Sequence, residues 1–86
     1  MVYVDNFNAP YRRMTMCHMI ADTQKELLEM VDKIGVQRKW IQDMDTPREH
    51  FDICLSKKKL AIQHGAKEIG FRELARMTST RKHVIE

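Results

Sequence analysis

Glycine is scarce in this chain, with three in 86 residues, and none falls in a phosphate-cradling pattern. Neither the P-loop form nor the G-x-G-x-x-G of a dinucleotide fold is present, which removes the two standard glycine-rich nucleotide sites. Cysteine is sparser still, at Cys17 and Cys54 alone, and with the four histidines these do not give the spacing of a structural zinc site. H-E-x-x-H is missing as well, so a helix-borne zinc protease site is excluded. No apolar run approaches the ~20 residues needed to cross a bilayer, and no membrane partner is expected. The first residues, MVYVDNFNAPYRR, lack the cationic-then-apolar order of a secretion signal. Two cysteines in such a chain are expected to be reduced thiols of a cytoplasmic protein rather than a disulfide.

A hydrophobic share of 43% beside 31% charged residues is that of a folded domain, not a disordered segment. Eighty-six residues leave room for one core. A single domain over residues 1–77 with a polar tail over 78–86 is the expected organisation, without repeats. A core this small favours homo-oligomerisation as a way to bury more surface. The net charge of +3 leans mildly towards anionic partners. It is gathered in three small clusters, Arg12-Arg13, Lys57-Lys58-Lys59 and Arg81-Lys82.

Val2-Tyr3-Val4 reads as a strand ending at Asp5, and residues 6–11, with Asn6, Asn8 and Pro10, as a loop. Met14 to Ala21 is apolar on both faces and is assigned as a buried strand, because Asp22-Thr23 then opens a helix. Thr23 and Glu26 form T-x-x-E ahead of the stripe Leu27, Leu28, Val31 and Ile34, and Gly35 closes it. Lys39-Trp40-Ile41 is expected as a short strand and residues 43–49 as a loop. His50 to Cys54 alternates, with Phe51 and Ile53 on one side and His50, Asp52 and Cys54 on the other. A helix over Lys57–His64, a strand near Ala66–Ile69 and a helix from Phe71 to about Met77 complete the chain. The fold class is α/β: a small sheet of short strands with about three helices, containing one strand–helix–strand crossover.

The stretch LSKKKLAIQHG is unusual. Ser56 reads as its N-cap, Leu55 and Leu60 as a hydrophobic staple, and Gly65 as its stop. Yet three lysines occupy the first turn, where the helix dipole is already positive. A phosphate or carboxylate bound there would offset the conflict, so Ser56, Lys57, Lys58 and Lys59, with Arg13, are candidate phosphate contacts. Against this, the dipole penalty is only ~0.3–1 kcal/mol and solvated lysines are common.

Asp5, His18, Asp22, His50 and Asp52 carry the remaining chemical potential. His50 and Asp52, two apart on a strand, share a face and could read polar edges of a ligand, while His18, Asp22, His50 and Asp52 could hold a divalent metal. Plainer roles compete: His18 as a core histidine with one hydrogen bond, Asp22 as a helix-start residue, Asp5 as a turn former. Tyr3, Phe7, Tyr11 and Trp40 offer flat surfaces for a base, Trp40 beside Arg38 and Lys39 the best placed, although a single tryptophan in a small domain is expected in the core.

VYVD at 2–5, RMTMCHMIAD at 13–22, Trp40, HFDICLS at 50–56 and LAIQHGA at 60–66 together resemble the family catalogued as domain of unknown function 4031, small proteins of bacteria and their phages. The resemblance implies a small intracellular domain, in the host cytoplasm if phage-encoded. It transfers no catalytic residue, and it adds weight to Asp5, His18, Asp22, His50 and Asp52. The leading expectation is a non-catalytic binding protein for a phosphorylated ligand such as a nucleotide. In a phage setting this is a sponge for a nucleotide second messenger of host defence, with Tyr3, Tyr11 or Trp40 stacking on the base. The alternatives are a metal-dependent phosphoesterase or nuclease using the His/Asp cluster, and a nucleic-acid or host-protein adaptor. A divalent metal is expected only under the second reading, and no other cofactor is.

Overall fold

The computed structural model describes residues 1–80. Along the chain these form β1 (Val2–Val4), β2 (Ala9–Tyr11), β3 (Met14–Ala21), α1 (Gln24–Ile34), a 3₁₀ turn (Arg38–Trp40), β4 (Phe51–Cys54), α2 (Leu55–Gln63), β5 (Lys67–Glu68) and α3 (Phe71–Thr80). The α/β class is as expected.

The long apolar strand β3 is the centre of the sheet. Met16 pairs with both Ala9 and Cys54, and Met19 with both Val4 and Phe51. A strand has only two edges, so β4 lies antiparallel along one, and β1 and β2 lie end to end along the other. β5 adds outside β1, parallel to it. It follows that β4 and β5 point the same way, with α2 crossing between them over β3 and β1. That is the expected crossover, spanning two intervening strands.

Strand alternation divides the sheet into two unlike faces. Cys17, Met19 and Ala21 join Val2, Val4, Phe51 and Ile53 in a core sealed by Leu27, Met30, Val31 and Ile34 of α1 and Ala61 of α2. On the opposite face Ile20 packs with Tyr3, Ile69, Leu74 and Met77 under α3. α1 is specified at both ends. The Thr23 hydroxyl oxygen accepts from the Glu26 N–H at 3.2 Å, and Gly35 takes the left-handed conformation at φ +80° that stops the helix. α2 ends at Gly65, φ +102°, where the N–H groups of Gly65 and Ala66 donate to the carbonyls of Ile62 and Ala61 at 3.0 and 2.9 Å. This is a Schellman closure at the expected glycine.

Four expectations are corrected. Ala9–Tyr11, expected as loop, is a strand: Arg12 at φ +56° turns the chain back, and Pro10 is tolerated because β2 pairs on one side only. Lys39–Ile41, expected as a strand, is instead the 3₁₀ turn of Arg38–Trp40. Arg38 reaches back to Asp32 through two hydrogen bonds of 3.0 and 2.6 Å, which coils the chain against the end of α1. Ser56 is not the N-cap of α2. Cys54 holds that place and Leu55 is already helical and exposed, so no Leu55–Leu60 staple forms at the entry. Finally, α3 runs to Thr80, three residues past the expected end near Met77, with the hydroxyls of Thr78, Ser79 and Thr80 donating to carbonyls of the preceding turn. The Arg81-Lys82 cluster and the rest of the tail lie outside the described residues.

Candidate metal centre

The register of β3 with β4 sets His18 directly opposite Asp52. Both side chains therefore stand on the α3 face of the sheet, beyond the part that α3 covers. A β-bridge between Gln42 and His50 extends β4 backwards by one pair and brings His50 beside them.

Each imidazole is oriented by its Nδ1. In His18, Nδ1 lies 2.7 Å from Oδ2 of Asp5. Asp5 is fully buried, and its Oδ1 accepts the backbone N–H groups of His18 at 2.8 Å and Phe7 at 3.3 Å. A buried carboxylate so placed accepts the Nδ1–H and leaves Nε2 as the ring's free nitrogen. In His50, Nδ1 lies 2.7 Å from the carbonyl oxygen of Arg48. A carbonyl can only accept, so Nδ1 again carries the hydrogen and Nε2 again is free. Both Nε2 atoms face Asp52 Oδ1, from 3.8 Å for His18 and 3.6 Å for His50. One ligand atom from each of the three residues lies within 4.8 Å of the others. The second Asp52 oxygen accepts from the Gln42 amide at 2.7 Å, so the carboxylate is steered too.

The surroundings fix this arrangement. Phe7 stacks on His18 with centroids 5.3 Å apart, and Phe71 packs on Phe7. Asn6 accepts the Phe71 N–H through its side chain, tying the start of α3 to the Asp5 turn. The loop delivering Arg48 and His50 turns through Asp43 and Asp45, both at positive φ. It is pinned by the buried Glu49, whose carboxylate accepts from the Gln24 amide at 2.6 Å and the Asp45 N–H at 2.9 Å. Two grooves meet at His18. One is lined by Tyr11, Met14, Met16 and Trp40 with Asp52, the other by Phe7, Arg48, Phe71 and Arg76 with His50.

Of the residues singled out in the sequence, His18, His50 and Asp52 converge, and Tyr11 and Trp40 line a groove that shares two of them. Asp22 does not join the cluster. It follows the far end of β3, four residues or about 13 Å from His18, beside the terminal amine of Met1. Tyr3 packs under α3, where burial, then Asp22, pushes its phenol up from the ordinary value. Arg13 is exposed within the β2–β3 turn.

The lysines separate. Lys57 carries its ammonium to Gly35, where an added Cβ would lie 3.2 Å from Nζ, so the charge stands at the negative end of α1. Lys58 pairs with Glu68 at 2.5 Å and is 12% exposed, while Lys59 faces outward. Ser56 shares a 3.2 Å hydrogen bond with Cys54. That bond, then the N–H groups at the start of α2, holds the Cys54 thiol below its ordinary value. Burial pushes Cys17 up to about 11. Both thiols are free, as expected.

Sequence reasoning gave no role to Gln42, Arg48 or Arg76 and left Asp5 a choice of roles. The i, i+2 spacing of His50 and Asp52 was a readable signal. The anchoring role of Asp5 depends on β1–β3 pairing, which local pattern does not encode.

Among the described residues no helix is long and apolar enough to cross a membrane. Comparison with curated proteins and with solved structures finds no match. A family model described as a protein of unknown function, DUF4031, matches residues 2–81. The chain belongs to the DUF4031 family.

Proposed function

We propose that this protein is a divalent-metal-dependent phosphoesterase with His18, His50 and Asp52 as the metal ligands. One observation carries the reading. Both imidazoles commit Nδ1 to a fixed acceptor, Asp5 and the Arg48 carbonyl, and turn Nε2 towards a shared carboxylate. Solvent-facing histidines need no such double anchoring, whereas metal-binding histidines almost always have it. Two imidazoles and one carboxylate suit Zn²⁺ or Mn²⁺ and leave coordination positions open for water and substrate. A bound ion would supply Lewis acidity and an ionised water. Water oxygen adds to phosphorus, the ester P–O bond breaks, and the water's two protons end on the departing alcohol and in solvent or on the product phosphate. Arg48 and Arg76, in the groove beside His50, are suited to hold phosphate oxygens of the substrate.

A second reading, retention of a nucleotide without turnover, draws on the exposed Tyr11 and Trp40 in the groove shared with His18 and Asp52. Hydrolysis of bis-p-nitrophenyl phosphate separates the two. Turnover that needs Mn²⁺ or Zn²⁺ and is lost in Asp52→Asn supports the phosphoesterase. If EDTA changes neither melting temperature nor turnover, the metal-dependent reading fails, and tight nucleotide binding without cleavage supports retention.

A further inference from the structure

A phosphodiester differs from a monoester in carrying a substituent on each side of phosphorus. The site has two such sides, because both grooves include His18 and they diverge from the metal ligands. The first groove presents two large aromatic rings to solvent, Tyr11 at 55% and Trp40 at 61% exposure. Each ring carries its own cation: the Arg12 guanidinium lies 5.6 Å from the Tyr11 centroid, and Lys39 Nζ lies 5.1 Å from that of Trp40. An exposed ring beside a cation is the pairing that receives an unstacked base and its phosphate. The second groove holds Arg48 and Arg76. Among the described residues Asp43 is its acid besides the buried Asp5, and it lies 4.0 Å from His50 Nδ1, the ring nitrogen turned away from Asp52.

We propose that the substrate is single-stranded nucleic acid, lying across the open sheet face with one arm of the scissile phosphodiester in each groove. Its bases rest on Trp40 and Tyr11, and its onward phosphates meet Arg48 and Arg76. The assignment rests on the metal-dependent phosphoesterase reading above. Base-paired strands are disfavoured, since their bases are stacked on one another and cannot lie on the rings. A mononucleotide fills only one groove.

Fluorescence anisotropy with a 5′-labelled dT 12-mer and a U 12-mer, in EDTA so that neither is cut, tests the surface independently of the metal. Binding at low salt is expected, weakened about 5- to 150-fold in Trp40→Ala, since one stacked base is worth ~1–3 kcal/mol. In Arg76→Ala the affinity should fall and the slope of log K against log salt should shrink by ~0.7, the single-strand value for one lost phosphate contact. Trp40 is exposed enough that the melting temperature should hold, and this is measured alongside. Unchanged binding in Trp40→Ala overturns the proposal. So does a 12-base-pair duplex, or thymidine monophosphate, that competes as well as the 12-mer. Metal titration and bis-p-nitrophenyl phosphate turnover test the underlying reading separately. If both succeed while Trp40 is immaterial, only the substrate assignment falls. If no metal binds, the phosphoesterase reading falls and takes the substrate assignment with it.

Discussion

Two polar clusters stand out in this molecule, the lysine-rich first turn of α2 and the His18–His50–Asp52 face of the sheet. The first is the more conspicuous in sequence and the less concentrated in space. Successive residues on a helix point about 100° apart, so Lys57, Lys58 and Lys59 leave in three directions. One reaches the C-terminal end of α1, one Glu68 and one solvent. The histidine face is scattered over 35 positions, yet strand pairing makes its members neighbours. Positive charge at the start of α2 is thereby accommodated by the rest of the fold. The imidazoles instead converge: each spends Nδ1 on an internal acceptor and turns Nε2 to the same carboxylate.

The sharpest way to break this contrast is to exchange the losses. Asp52→Asn is expected to reduce metal-dependent turnover of bis-p-nitrophenyl phosphate by at least ~100-fold, while Lys59→Gln leaves it within about twofold. A large effect of the lysine would reverse the assignment.

Next in size is Asp5→Asn. The amide cannot accept on both sides as the carboxylate does, so His18 loses its fixed orientation. Metal affinity should fall by ~10–100-fold in calorimetry, with ~1–3 kcal/mol lost in urea unfolding. Normal affinity would mean that His18 needs no anchor.

Glu49→Ala probes the loop from further away. It removes the acceptor of the Asp45 N–H and one of the two acceptors of the Gln24 amide, which keeps Asp45 Oδ1, for ~1–3 kcal/mol of stability by chemical denaturation. Metal affinity should drop less than in Asp5→Asn, because Arg48 and His50 keep their mutual hydrogen bond. Among the lysines, Lys58→Ala should cost ~1 kcal/mol at most, since Glu68 is half exposed.

The smallest test uses the thiols. Iodoacetamide should label Cys54, at the junction of β4 and α2, in the native protein. Cys17, almost wholly buried, should react only on unfolding. Mass spectrometry of the labelled peptides reads both.

What the sequence made legible follows from the range of each interaction. Thr23, Glu26 and Gly35 act within a few residues of α1, and that helix is where they place it. Phe51 and Ile53 alternate with His50 and Asp52 on β4, and the two faces are as the alternation requires. Ser56 misled because serine at a helix start is ambiguous by one or two positions, and Cys54 takes the extended conformation first. Trp40 misled because β propensity there is weaker than the Arg38–Asp32 clasp. The site was half legible. His50 and Asp52 are local, but Asp5 reaches His18 only through β1–β3 pairing, and Arg76 reaches the groove only through the docking of α3. Such long-range pairings leave no periodic trace.

The central claim is that His18, His50 and Asp52 form one metal site. Isothermal titration of Mn²⁺ or Zn²⁺ into metal-stripped protein tests it directly, with His18→Ala, His50→Ala and Lys59→Gln titrated alongside. One site per chain is predicted, lost in each histidine variant and intact in the lysine variant. No binding to the wild-type chain, or binding that survives both histidine substitutions, would contradict the account.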